Sequence, residues 1–215
     1  MDSSQSGGLK IIVLNKYEDI LERFFKENNF SGYTGLIIAD NWDPKNVPWE
    51  VMRSNLEFNY ARNVNVGIRL TFSNDDIMLI NDDVTGLTPK IIRDLHNTPG
   101  DIIAPSVQGR CGNPLQSMRN CGVVHTSFVP FICVIIKREV INSIGLLNPK
   151  YKWYGCEDSD YCSRATKRGF KISVNTDIQI NHDSEDDCGT SFGRKYGQKK
   201  CIKLFEKAME YYLGK

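Results

Sequence analysis

No stretch of this chain approaches the roughly 18 to 20 consecutive apolar residues needed to cross a bilayer. The first eight residues, Met1 to Gly8, are polar and hold no apolar core of the kind that signals export, so a cytosolic protein is expected. An excess of one charge is also missing. The 27 basic residues stand against 26 acidic ones, a net of +1, which leaves no protein-wide basic surface for nucleic acid. Seven cysteines are present, but no two show the two-residue gap of a zinc site, and they read as free thiols of a reducing compartment. Internal repeats and low-complexity linkers are absent. What remains is an ordinary globular balance, 40% hydrophobic and 25% charged. Its 215 residues suit one folded domain with its own core.

The apolar runs alternate with helical periods. Leu9 to Leu14 is short, β-branched and preceded by Gly-Gly, and reads as a buried strand. Tyr17 to Asn28 carries Ile20, Leu21, Phe24 and Phe25 at helical spacing, and Leu36 to Ala39 is a second strand ending on Asp40. Strand, helix, strand opens a parallel βαβ unit. Residues 41–50 hold two Pro and two Trp and read as a loop. Ala61 to Phe72 predicts a helix with Val64, Ile68 and Leu70 inward; Ile77 to Ile80 is a third strand running into Asn81-Asp82-Asp83. A helix at Pro89 to Asn97 and a strand at Asp101 to Pro105 follow. Gly109 to Asn120 reads as a long loop, Phe128 to Ile136 as β-rich, and Lys137 to Ile144 as a helix stopped by Gly145. Asp158 to Lys167 is a helix with Gly169 past its end, and strands are expected at Phe170–Val174 and Ile178–Ile180. In the last helix, Arg194 to Leu213, the face of Ile202, Phe205, Met209 and Leu213 should dock. The order predicts an α/β domain whose second half leaves the parallel pattern.

In such sheets ligands bind beyond the carboxyl ends of the strands. Three strands end on Leu14-Asn15, Asp40-Asn41 and Asn81-Asp82-Asp83. One alone would merely begin a turn, but three together favour a ligand edge. In an extended chain Asn81 and Asp83 face one way and Asp82 the other, and a carboxylate beside an amide suits Mg²⁺ or Mn²⁺. Glu157, Asp158 and Asp160 open a helix after Trp153-Tyr154. Two readings stand level: acids that complement the helix dipole, or a general base beside an aromatic platform for a sugar. His182 closes a strand before an acidic run, which suits a metal ligand; His96 and His125 lack such context. Residues 191–215 carry seven basic and two acidic residues, net +5, and the other 190 are net −4. The basic segment is either a solvated helix face or the place from which Arg194, Lys195 or Lys199 reaches a diphosphate.

Four blocks together resemble the family 2 glycosyltransferases, especially the rhamnosyltransferase-like group, over about residues 9–192. They are Ile12-Val13-Leu14-Asn15-Lys16-Tyr17, Phe58 to Ile68 with its Asn65-Val66-Gly67, Leu79 to Val84, and Glu157 to Arg164 followed by Gly169. The resemblance implies a GT-A fold, a Rossmann-like fold with a mixed central sheet flanked by helices. It places a nucleotide-sugar half at about 9–105, an acceptor half at about 106–190 and a terminal helix at 191–215. It implies inverting transfer from a nucleotide-sugar donor, with a uridine diphosphate sugar (glucose or rhamnose first) favoured, to a carbohydrate or glycoprotein acceptor. The implied roles are Asp83 and His182 on a Mn²⁺ or Mg²⁺ ion and Asp158 as catalytic base. Leu14, Asn15, Tyr17, Asp40, Asn65, Asn81, Asp82, Arg194 and Lys195 would line the donor site, with Asp40 at the uracil or ribose; Trp153, Tyr154 and Glu157 would meet the acceptor. Asn81 stands where the common metal motif has its first Asp, and Val129-Pro130-Phe131-Ile132-Cys133-Val134 stands where a Gly-containing segment is usual. The chain is short for the family, as are stand-alone members from large algal DNA viruses.

Two other classes compete. A sugar nucleotidyltransferase should carry a Gly-rich, basic loop directly after the first strand, and Asn15-Lys16-Tyr17-Glu18-Asp19 is not one. A non-catalytic sugar- or nucleotide-binding module would need none of Asp83, Asp158 and His182.

Overall fold

The computed structural model of the chain describes residues 8–71, 74–151, 155–182 and 197–214. In chain order the elements are β1 (Leu9–Asn15), α1 (Glu18–Glu27), β2 (Gly35–Asp40), β3 (Glu50–Ser54), α2 (Tyr60–Leu70), β4 (Asp76–Asn81), β5 (Val84–Thr85), α3 (Pro89–His96) and β6 (Ile102–Gly109). A 3₁₀ turn at Pro114–Ser117 leads to β7 (Val123–Thr126), β8 (Cys133–Ile136), α4 (Arg138–Ile144), α5 (Glu157–Lys167), β9 (Ile172–His182) and α6 (Gln198–Tyr212). The strands form one sheet in the order β3-β2-β1-β4-β8-β6-β9-β5, with β7 added to β9. The first four are mutually parallel; β8 runs against both β4 and β6, and β6 is parallel to β9. The sheet is therefore mixed, as the change of pattern in the second half predicts.

Both faces of the parallel half are covered, which is why its strands read as unbroken apolar runs. Ile11, Val13 and Ile37 pack against Leu21 and Phe24 of α1 and Ile92 and Leu95 of α3. Their neighbours Ile12, Leu36 and Ile38 pack against Val64 and Ile68 of α2 and Tyr161, Cys162 and Ala165 of α5. Each large apolar side chain so buried contributes about 1.5–3 kcal/mol. Gly67 lets α2 lie directly on β1, because a Cβ there would stand 2.8 Å from Ile12 Cγ2. Two helices start on capping side chains: Asn59 accepts from the Arg62 amide, and Thr88 from the Ile91 amide with Pro89 at the first position.

Where β4 begins, Asp76 gathers a polar cluster. Its carboxylate lies 2.7 Å from His96 Nε2 and 3.0 Å from Lys137 Nζ, and accepts from the Arg138 amide at 2.7 Å. Burial works against the charge, but these bonds together hold the Asp76 carboxyl below its ordinary value of 3.8. The cluster ties β4, α3 and α4 together.

Several expectations need correction. The loop expected at 41–50 holds as far as Trp49, but the chain then enters an unexpected strand, β3, which pairs in parallel with β2 although its Val51 and Met52 are only half-buried. An edge strand owes its form to its neighbour's open hydrogen bonds, not to an apolar run. β7 is likewise a short edge strand that the sequence pattern does not announce. The two strands expected after α5 are one, β9, whose register to β6 slips between Asn175 and Gln179. Leu70 is 52% exposed, not inward. On α6 the docked residues are Cys201 and Ala208, while Ile202, Phe205 and Leu213 are 46%, 45% and 56% exposed. Small side chains allow the helix axis to approach Tyr151 and Cys156 closely, and Met209 packs beside them.

Candidate active site at the carboxyl edge of the sheet

The parallel strands β1, β2 and β4 end level with one another: Leu14 pairs with Asn81, and Asn15 with Ala39. The extended backbone of β4 stops at Asn81 and the chain turns through Asp82 and Asp83, so the strict alternation expected for these three residues does not hold past Asn81. The turn sends the two carboxylates to different partners. Asp82 Oδ2 accepts from Asn15 Nδ2 at 2.8 Å, a buried bond that joins the ends of β4 and β1. Asp83 Oδ1 faces His182 Nε2 at 3.2 Å, with both side chains buried. They stand 99 positions apart in the sequence. The sheet unites them, because β5 directly follows Asp83 and its Val84 pairs with His182 at the end of β9.

Among the described residues no cluster of three or more His, Cys, Asp or Glu forms an all-protein metal cage. The facing carboxylate and imidazole fit a different kind of site. A small hard cation keeps several waters and takes only one or two protein ligands when substrate phosphates complete its shell. Asp83 and His182 supply such a pair.

Asp40 closes β2 and is 2% exposed. Its Oδ2 lies 2.8 Å from Lys16 Nζ, whose side chain remains 22% exposed. The end of β2 therefore presents an ion pair and not a lone carboxylate. Lys16 also stands 5.9 Å from the Tyr17 ring. Lys16 is a contributor that the sequence pattern missed, since a single Lys after a strand carries no signal of its partner.

The acid motif begins α5. Cys156 precedes it with φ +69, turning the chain into the helix. Burial, and then the neighbouring Asp158, push Glu157 up to about 8. Burial pushes Asp158 up to about 6, opposed by hydrogen bonds from the Ser159 and Phe131 amides. Glu157 is 8% exposed, and its Oε2 finds no hydrogen-bond partner among the described residues. Asp160, the third acid, pairs with Arg164 Nε at 2.8 Å, while that guanidinium also donates to the Ile144 and Leu146 carbonyls. Asp160 thus serves the link between α4 and α5.

The segment before β8 connects this motif to the turn that follows β4. Phe131 offers its amide to Asp158, and Ile132 accepts from the Asn81 amide at 2.8 Å. The residues that depart from the usual Gly-containing segment therefore have a local task, orienting Asp158 against the end of β4.

Other expected site residues fall elsewhere. Asn65 is buried in a structural contact: its Nδ2 donates to the Leu147 carbonyl at 2.8 Å and its Oδ1 accepts from the Leu147 amide at 2.9 Å. Both amide atoms are engaged with Leu147, so Asn65 clamps α2 to the chain after α4. Leu14 packs into the core on the α2 face. Trp153, Tyr154, Arg194 and Lys195 lie outside the described residues.

No protein-family model matches this sequence, and no curated protein does. Solved structures match its fold. GalNAc-T7, crystallised with UDP, GalNAc and Mn²⁺, aligns with a TM-score of 0.65 at 10% identity, over 84% of this chain and 44% of that one. The first 349 residues of TarS from S. aureus align with a TM-score of 0.59 at 14% identity, over 81% of this chain and 60% of that one. A Drosophila β1,4-galactosyltransferase 7 variant, in complex with manganese, UDP-Gal and xylobiose, aligns with a TM-score of 0.58 at 14% identity, over 94% of this chain and 79% of that one. The chain has the GT-A fold, and it spans less than two thirds of the first two proteins. Among the described residues no helix is long and apolar enough to cross a membrane.

Proposed function

We propose that this chain is a metal-dependent glycosyltransferase that moves a sugar from a nucleoside diphosphate to a hydroxyl of a carbohydrate or glycoprotein, with inversion at the anomeric carbon. One observation carries the reading. The Asp83–His182 pair and the Glu157–Asp158 pair stand at the same sheet edge, joined through the Phe131–Ile132 segment. Two structural neighbours were solved with manganese and UDP or UDP-Gal, which supports a UDP-sugar and Mn²⁺ for this chain as well.

Asp83 and His182 would hold a divalent ion, Mn²⁺ or Mg²⁺, which when bound neutralises charge on the departing diphosphate. The chain's own residues do the rest. The Lys16–Asp40 pair receives the nucleoside, with the ammonium donating to a base carbonyl or ribose oxygen and the carboxylate holding that ammonium in place. Asn15 fixes Asp82 and so keeps the turn below the diphosphate rigid. Asp158 takes the proton from the acceptor hydroxyl as it attacks the face opposite the leaving group. A carboxyl near 6 is well matched to that task, being largely ionised at neutral pH yet a stronger base than an exposed aspartate. Glu157, raised further to about 8, is largely protonated at neutral pH and so stands as a hydrogen-bond donor in place of a base.

A uridine donor carrying glucose or rhamnose is the first expectation, after the rhamnosyltransferase-like resemblance. Residues 9–105 would form the donor half and 106–190 the acceptor half. The net −4 of residues 1–190 argues against a duplex nucleic-acid acceptor. All six described cysteines are free thiols, as suits the cytosol. The test is hydrolysis and transfer across uridine, guanosine and thymidine diphosphate sugars, with and without Mn²⁺. The expected result is Mn²⁺-dependent turnover of a uridine sugar. Formation of a nucleotide sugar from a nucleoside triphosphate would instead identify a nucleotidyltransferase. Binding without turnover of any donor would identify a non-catalytic module.

A further inference from the structure

His182 is held from the side away from Asp83. Its Nδ1 lies 2.8 Å from the main-chain oxygen of Arg110. A carbonyl only accepts, so the contact fixes a proton on Nδ1 and turns Nε2 toward Asp83 Oδ1. The strand ladder sets this arrangement. His182 ends β9 between two strands, paired with Val84 of β5 on one side and with Gly109 of β6 on the other. Gly109 has φ +114, and a Cβ on it would stand 2.3 Å from the His182 main-chain oxygen. Side chains are thus excluded there twice, by the sign of φ and by collision with backbone. That conformation ends β6 flush against His182 and leads directly into the Arg110 carbonyl beneath the imidazole.

We infer that Gly109 and the Arg110 carbonyl are a positioning element for the metal centre, locking His182 in the Nδ1–H tautomer that offers Nε2 to a divalent cation shared with Asp83. The inference rests on the proposed metal role of Asp83 and His182. Neither Gly109 nor the Arg110 carbonyl touches the ion. Their effect is to spare the site the cost of choosing one tautomer and one ring orientation when the ion arrives. Loss of such a partner behind a ligating imidazole typically lowers metal affinity about 10- to 100-fold.

Two measurements on the full chain test this. The first is Mn²⁺ affinity at saturating UDP, read from the electron paramagnetic resonance of free Mn²⁺, for wild type, Gly109→Ala and His182→Ala. Folding is checked by circular dichroism. Gly109→Ala should bind Mn²⁺ about 10- to 100-fold more weakly while remaining folded. The second needs no substitution at Gly109. Long-range proton–nitrogen spectra of the three imidazoles, with His182 assigned by its loss in His182→Ala, report the tautomer directly. Neutral His182 should be the Nδ1–H form, with Mg²⁺ and UDP as without them. An Nε2–H tautomer overturns the inference, even if Gly109→Ala does not fold. So does a folded Gly109→Ala protein with wild-type Mn²⁺ affinity, provided His182→Ala binds Mn²⁺ weakly. If His182→Ala and Asp83→Ala both bind Mn²⁺ as wild type does, the metal reading itself fails, and the positioning role with it.

Discussion

Where β4 begins, Asp76 lies among His96, Lys137 and the Arg138 amide; at the opposite edge, Glu157 and Asp158 share a helix terminus with backbone amides and each other. All three carboxyls are withdrawn from solvent. The partners decide what burial does. Against the cost of burial, contacts with His96, the Arg138 amide and the Lys137 ammonium hold Asp76 below its ordinary value, so its charge is stabilised in the fold. Glu157 and Asp158 face no cation among the described residues that lowers them, and each raises the cost of ionising the other or bears it alone. A carboxylate that braces the structure is well matched; one kept for chemistry is left incompletely matched, ready for a ligand or a proton.

The sharpest way to break this contrast is at the metal turn. Asp83→Ala should abolish Mn²⁺-dependent binding of a nucleotide sugar, measured by calorimetry, and leave the fold intact; His182→Ala should weaken it less, since a neutral imidazole gives up less charge. Wild-type donor binding by Asp83→Ala would remove the metal from this edge. Next in size, Asp158→Asn should keep donor binding and lower transfer about 10² to 10⁴-fold at saturating acceptor. Glu157→Gln should cost less, and near-normal transfer by Asp158→Asn would move the base elsewhere. Asp160 is a poor substitute, because Arg164 already occupies it.

At the opposite edge the same chemistry should do the reverse. Asp76→Asn should leave transfer per folded molecule unchanged but lower unfolding free energy by about 1–3 kcal/mol, as the partners of a part-buried carboxylate lose their acceptor. A denaturant titration beside an activity assay separates the two. Equal stability with lost activity would make this cluster functional and dissolve the comparison.

The smallest effect is in the pH dependence of stability, and its sign differs between the edges. Asp76 is lowered in the fold, so its contribution is present above 3.8 and is lost as pH falls through its folded value. Glu157 and Asp158 are raised from 4.5 and 3.8 to about 8 and about 6, so the native state binds protons more tightly than the unfolded chain. Their contribution therefore improves as pH falls from about 8 toward 4. Melting temperature against pH should lose slope between 4 and 8 in Glu157→Gln, and below 3.8 in Asp76→Asn. Transfer should fall in the opposite sense, declining as pH drops through about 6 and Asp158 becomes protonated. Unchanged slopes in both variants would show that the two edges are electrostatically alike.

Much of the fold could be read from the sequence because two-sided burial writes itself into it. β1, β2 and β4 need unbroken apolar runs through their middles, α1 and α3 need one apolar stripe, and Gly145 and Gly169 stop α4 and α5. The acids at the ends of those elements were legible because they interrupt the apolar runs, although Asp40, Asp82, Asp83 and Glu157 are themselves buried. β3 and β7 were not, because an edge strand takes its order from a neighbour's unpaired amides and carbonyls. The docked face of α6 was not either, since close approach favoured Cys201 and Ala208 over the larger apolar stripe. What only the tertiary structure decided was the choice of partners. Asp40 meets Lys16, Asn65 closes on Leu147, Asp83 faces His182, and Arg110 lends His182 its carbonyl. Apolar burial is non-directional and tolerant of position, so a pattern of residue types suffices to encode it. Hydrogen bonds and ion pairs depend on distances of a few tenths of an ångström between groups far apart in the chain, and only the packed sheet sets those distances.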